Sequence, residues 1–85
     1  MKSTCTPEFW RLHDNFPADV QALAAKTYRL WCDNPNHSSL RFKKIKGRDL
    51  FAVRVGAHYR AIGRMRGDTV QWIWIGSHEA YNNLF

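Results

Sequence analysis

The chain has 85 residues, 45% of them hydrophobic, and 13 Lys+Arg against 7 Asp+Glu give it a net charge of +6. That size fits one domain over 1–85, and the apolar share is too high for a disordered tail. No apolar run reaches the roughly 18 residues of a membrane span, no secretory leader is visible, and Cys5 and Cys32 make no disulfide framework, so a soluble cytoplasmic protein with free thiols and no membrane partner is expected.

Up to Pro35 the hydrophobic period is helical. Thr6-Pro7 is a helix start, because Thr can accept from the free N–H groups of the first turn and Pro at the first helical position loses no hydrogen bond. Phe9, Leu12, His13 and Phe16 share a stripe that should end at Asn15-Phe16, before Pro17. Pro17 then opens a helix of about four turns, with Val20, Leu23, Ala24, Thr27, Leu30 and Trp31 at 3.6 spacing. Asp33-Asn34-Pro35-Asn36 stops it. Residues 7–33 therefore read as a helical hairpin with one apolar seam.

Beyond Pro35 the period is two, over a meander predicted for residues 39–76. Leu40-Arg41-Phe42 alternates, and Lys46-Gly47-Arg48-Asp49 supplies a turn. Phe51, Val53 and Val55 fall on one strand face and Ala52 and Arg54 on the other. Gly56-Ala57-His58 connects to a strand with Tyr59, Ala61, Gly63 and Met65 on one face and Arg60, Ile62 and Arg64 on the other. After Arg66-Gly67-Asp68, alternation puts Val70, Trp72 and Trp74 opposite Gln71, Ile73 and Ile75; such a strand belongs inside a covered sheet. Gly76 offers a sharp turn, and residues 78–85 suggest a terminal helical turn. The sum is an α+β fold: two N-terminal helices packed on one face of a small, mainly antiparallel sheet.

The charge is not evenly placed. Basic and acidic groups balance up to residue 35, so the whole excess lies in residues 36–85. Nine basic residues and one acidic residue fall between Arg41 and Arg66, a segment that attracts a polyanion. Arg54 and Arg60 lie on strands joined by a short connection, where their side chains can meet on an exposed sheet face. Two adjacent guanidiniums repel unless an anion bridges them, and a phosphate can give each of them two oxygens. The competing reading pairs each Arg with a carboxylate, and only Asp49, Asp68 and Glu79 lie in this half. On spacing alone His78 is a surface or capping residue. Beside an arginine pair it becomes a general acid or base for RNA cleavage, with the RNA's own 2′-OH as nucleophile. The four His residues are scattered without metal-ligand spacing, so no metal site or cofactor is expected.

Several segments in order resemble the RelE/ParE superfamily of bacterial toxins, nearest its branch with a His close to the C-terminus. They are Pro17…Val20-Gln21, the Asn34-to-Leu40 link, Phe42-Lys43-Lys44-Ile45-Lys46-Gly47, Phe51-Ala52-Val53-Arg54-Val55, Tyr59-Arg60-Ala61-Ile62 and Trp74-Ile75-Gly76-Ser77-His78-Glu79-Ala80-Tyr81. The resemblance implies the toxin of a type II toxin–antitoxin module, neutralised by a cognate antitoxin protein. In the RNA-cutting branch such a toxin cleaves mRNA at the ribosome without a metal; in another branch it inhibits DNA gyrase without chemistry of its own. A non-cutting RNA binder is the third reading.

Carried over, the resemblance makes Arg60 and Arg54 the phosphate clamp, His78 the acid/base and Tyr81 a stacking or orienting residue. Arg41, Lys43, Lys44, Lys46 and Arg48 become general RNA contacts. Two departures stand out. Many relatives begin with a β-strand, whereas this chain opens on the Pro7 helix, so a sheet edge is expected to be missing. Ala52 stands where some RNA-cutting relatives carry a lysine, which leaves fewer cations at the site.

Overall fold

The computed structural model describes residues 2–45 and 47–85. Its order is β1 (Lys2–Cys5), α1 (Pro7–Asp14), α2 (Ala18–Asp33), a 3₁₀ turn (Ser38–Leu40), β2 (Lys43–Lys44), β3 (Leu50–Val55), β4 (Tyr59–Arg66), β5 (Thr69–Ser77) and α3 (His78–Leu84). Five strands form one sheet in the order β1-β5-β4-β3-β2, antiparallel except where β1 runs parallel to β5.

The helical hairpin forms as its caps require. Thr6 Oγ1 accepts from the Phe9 N–H (3.1 Å), Pro7 opens α1, and Asn15 caps its end. On α2, Val20, Thr27 and Trp31 are buried, with Leu23, Ala24 and Leu30 packed beside them. Facing them from the sheet are Val53, Val55, Ala61, Val70, Trp72 and Ile75. Trp31, only 1% exposed, meets Trp72 edge-on with ring centroids 5.2 Å apart, a favourable aromatic geometry. No helix among the described residues is long and apolar enough to cross a membrane.

The second sheet face has its own smaller core. Ile45, Leu50, Ala52 and Ile62 are buried there under Tyr81 of α3 and Phe85 just past its end, with Ile73 and Trp74 beside them. α3 shields this end of the face, and the β3–β4 hairpin end, where Arg54 and Arg60 lie, stays open.

Four expectations need correction. The missing edge strand is present: β1 pairs Lys2 to Thr69 through Cys5 to Trp72, and its ends are held by Lys2 N–H to Asp68 O (3.2 Å) and Thr6 N–H to Trp72 O (3.0 Å). The strand expected from Leu40 begins at Lys43, because Ser38–Leu40 closes a 3₁₀ turn that buries Leu40. A β-bulge opposite Ile62/Gly63 resets β5, so Ile62 pairs with Trp74 and Gly63 with Trp72, leaving Ile73 as the extra residue. Ile75 therefore joins Val70 and Trp72 beneath the helices, and Trp74 turns to the α3 side.

The fourth correction concerns Gly76, which continues β5 rather than turning it. A Cβ there would strike the indole of Trp74, which lies across its backbone. The turn is made by Ser77, whose Oγ accepts from the Ala80 N–H (3.0 Å) and caps α3. Gly76→Ala is expected to displace Trp74 from its place beside Phe85 and to lower stability by about 1–3 kcal/mol. Thermal unfolding followed by tryptophan fluorescence measures both effects.

Candidate functional site

β3 and β4 pair antiparallel, and Arg54 lies directly across from Arg60. Strand alternation points both onto the open face, away from the helical hairpin. Like charges at directly opposed positions destabilise a sheet. Among the described residues neither Arg forms an ion pair. Each donates to a backbone carbonyl instead: Arg54 Nε to Gly56 O (3.1 Å) and Arg60 Nη1 to Tyr59 O (2.8 Å). These bonds fix the stems without neutralising the charge. The carboxylate-paired alternative is not found among the described residues.

The two arginines line a cleft of about 170 Å³ with Arg41, Lys43, Ala52, His78 and Tyr81 among its other walls. Burial first, then the charges of Arg54 and, after a partial offset from Tyr81, Arg41, pull the Arg60 guanidinium below its ordinary value. The physical content is crowding: Arg60 holds its charge in partly dry surroundings beside other cations. A bound anion would reverse that cost.

His78 opens α3, and its backbone N–H donates to His58 O (2.7 Å) at the tip of the β3–β4 connection. This bond ties the helix start to the hairpin that carries the arginines. The His78 imidazole is exposed and stacks loosely on Tyr81, centroids 6.4 Å apart at 28°. An imidazole, an aromatic ring and a cationic floor thus share one small depression.

The basic run is not one surface. Lys43 pairs with Ala52 and so shares the cleft face, whereas Lys44 pairs with Phe51 and points to the other side. Arg48 lies over the Phe85 ring, 5.9 Å from its centroid, near the far end of α3. Lys46 falls outside the described residues. Lys43 also answers the expected shortage of cations at Ala52: the small side chain leaves room, and an ammonium arrives from the neighbouring strand.

A larger groove of about 650 Å³ runs between the helical hairpin and the sheet, past Trp10, Tyr28, Trp31 and Trp72. Its lining is mainly apolar and holds no group of cations; the cations gather at the smaller cleft.

A sheet with a helical hairpin on one face and a cationic cleft on the other defines a small α+β fold. A family model described as "ParE-like toxin domain" matches residues 18–83, and the chain belongs to that family, within the RelE/ParE superfamily. The RelE of a RelB–RelE antitoxin–toxin complex from Methanococcus jannaschii has a similar structure, with TM-score 0.75, 19% identity, and 96% of this chain and 98% of that one covered. A YoeB/ParE toxin from Agrobacterium tumefaciens aligns with TM-score 0.72 at 19% identity, covering 92% and 99%. YafQ from E. coli aligns with TM-score 0.70 at 10% identity, covering 94% and 96%. At these identities the likeness is one of fold. No curated protein gives a significant match.

Proposed function

We propose that this chain is the toxin of a type II toxin–antitoxin module and cleaves mRNA on the ribosome. The observation that carries this reading is the directly opposed, carboxylate-free pair Arg54–Arg60 in one cleft with His78 and Tyr81. In the proposed reaction Arg54 and Arg60 hold the non-bridging oxygens of one phosphodiester and stabilise the charge that grows on them. The 2′-OH loses its proton and attacks phosphorus, and the bond to the 5′-oxygen breaks. His78 takes the first proton or supplies the one the leaving oxygen needs, and solvent water exchanges the other. The products are a 2′,3′-cyclic phosphate and a 5′-hydroxyl. Tyr81 orients a neighbouring base by stacking.

Lys43 adds charge at the same cleft, and Lys44, Lys46 and Arg48 contribute sequence-independent attraction. The cytoplasm, where ribosomes and mRNA meet, is the matching location. Several similar folds were solved as complexes with antitoxins, including RelB–RelE from Methanococcus jannaschii and RelBE from E. coli, which supports a cognate antitoxin as partner here.

The test is induction in growing cells with mapping of mRNA 5′ ends, alongside a gyrase supercoiling assay on the purified protein. New 5′ ends within translated frames, with supercoiling unaffected, are expected. Inhibited supercoiling without new ends would establish the gyrase reading instead.

A further inference from the structure

Arg41 is the one described non-glycine residue with positive φ, at φ 47° and ψ 42°. This left-handed conformation crowds the Cβ of any L-residue and favours Gly, or Asn as second choice. Arg41 ends the 3₁₀ turn Ser38–Leu40, a position that Gly commonly fills at helix ends. The backbone there is held from both sides. Leu40 is 1% exposed, and Phe42 packs on Trp31 and Phe51 with centroids 6.0 and 5.3 Å away. The chain must therefore turn left-handed at residue 41 whichever side chain stands there, and the fold alone asks for glycine.

The arginine does something else. Its side chain is exposed and lines the cleft of Arg54, Arg60 and His78, and its charge is felt by Arg60. Among the described residues no side-chain hydrogen bond or ion pair engages it. Strain retained at a position over-determined by its neighbours is typical of functional sites.

We infer that the left-handed turn at residue 41 carries an arginine in order to place a third guanidinium in the cleft, where it binds an RNA phosphate specifically. This deepens the cleavage reading and rests on it. Arg41 thereby separates from Lys44 and Arg48, which act by general attraction. With Arg54 and Arg60 on the scissile phosphodiester, Arg41 grips the substrate strand where it enters from the β2 edge, and a fork of five donors suits that task better than a point charge.

The experiment compares parent, Arg41→Gly, Arg41→Asn, Arg41→Lys, Lys26→Ala and Arg60→Ala. Cleavage is measured on ribosomes programmed with one defined mRNA, and Tm by thermal unfolding. Arg41→Gly and Arg41→Asn are expected to lose at least about 10-fold in kcat/KM, the scale of one charge-assisted hydrogen bond. Their Tm should be unchanged or raised by up to about 5 °C as strain is relieved. Arg41→Lys keeps part of the activity, and Lys26→Ala, an exposed cation on α2 outside the cleft, stays within about 3-fold of the parent. The inference alone is overturned if Arg60→Ala abolishes cleavage while both neutral Arg41 variants cleave like the parent. It is also overturned if both neutral variants lower Tm, since the arginine would then serve the fold. A parent that leaves the mRNA intact removes the cleavage reading and this inference together.

Discussion

Arg60→Ala is expected to reduce mRNA cleavage by about 10²–10³-fold or more while leaving the protein at least as stable as the parent. The activity loss follows from position. Arg60 sits in the middle strand of the sheet, opposite Arg54 on one side and Gly76 on the other, so its stem is fixed by two neighbours. Its guanidinium is partly dried, and a phosphate there gains more from it than from a hydrated surface lysine. The stability gain follows from the same facts. Removing one member of an unbridged like-charge pair relieves repulsion, and the single hydrogen bond lost, from Nη1 to Tyr59 O, is worth about 1 kcal/mol. Thermal unfolding and cleavage measured on one preparation check both halves. A variant that loses activity only because it unfolds would contradict this account of Arg60.

His78→Ala should cost about 10²–10⁴-fold in cleavage at unchanged Tm. The imidazole is exposed and, among the described residues, makes no side-chain hydrogen bond; it only stacks loosely on Tyr81. What anchors this corner is backbone: the N–H of residue 78 to His58 O, and the Ser77 cap. Both survive the substitution, so lost activity cannot be blamed on a lost helix. His78→Gln keeps a polar side chain of similar reach but moves no proton. If the glutamine variant cleaves as fast as the parent, His78 is not the acid/base group.

Much of this arrangement was legible in the residues because local rules and tertiary packing agreed. Thr6-Pro7, the 3.6-residue seam of α2 and the Gly56-Ala57-His58 connection fix the hairpin and the β3–β4 register, and with it the Arg54–Arg60 pair. What was missed lacked a local signal. β1 has one short polar run, Lys2-Ser3-Thr4-Cys5, and holds its place through backbone bonds to β5. The β5 bulge shows only in pairing, since Trp72-Ile73-Trp74-Ile75 is apolar whichever way it alternates. Lys43 and Lys44 look equivalent as neighbours in sequence, and only the strand pairing sends them to opposite faces. The left-handed turn at Arg41 had no glycine or asparagine to announce it.

The most direct measurement is the end chemistry of mRNA fragments produced by the purified protein on programmed ribosomes. A cleft of guanidiniums and one imidazole, with the substrate's 2′-OH as nucleophile, predicts a 2′,3′-cyclic phosphate on the upstream fragment and a 5′-hydroxyl on the downstream one. Fragments bearing a 5′-phosphate, or cutting that persists when the ribose at the cleaved position lacks its 2′-OH, would contradict it.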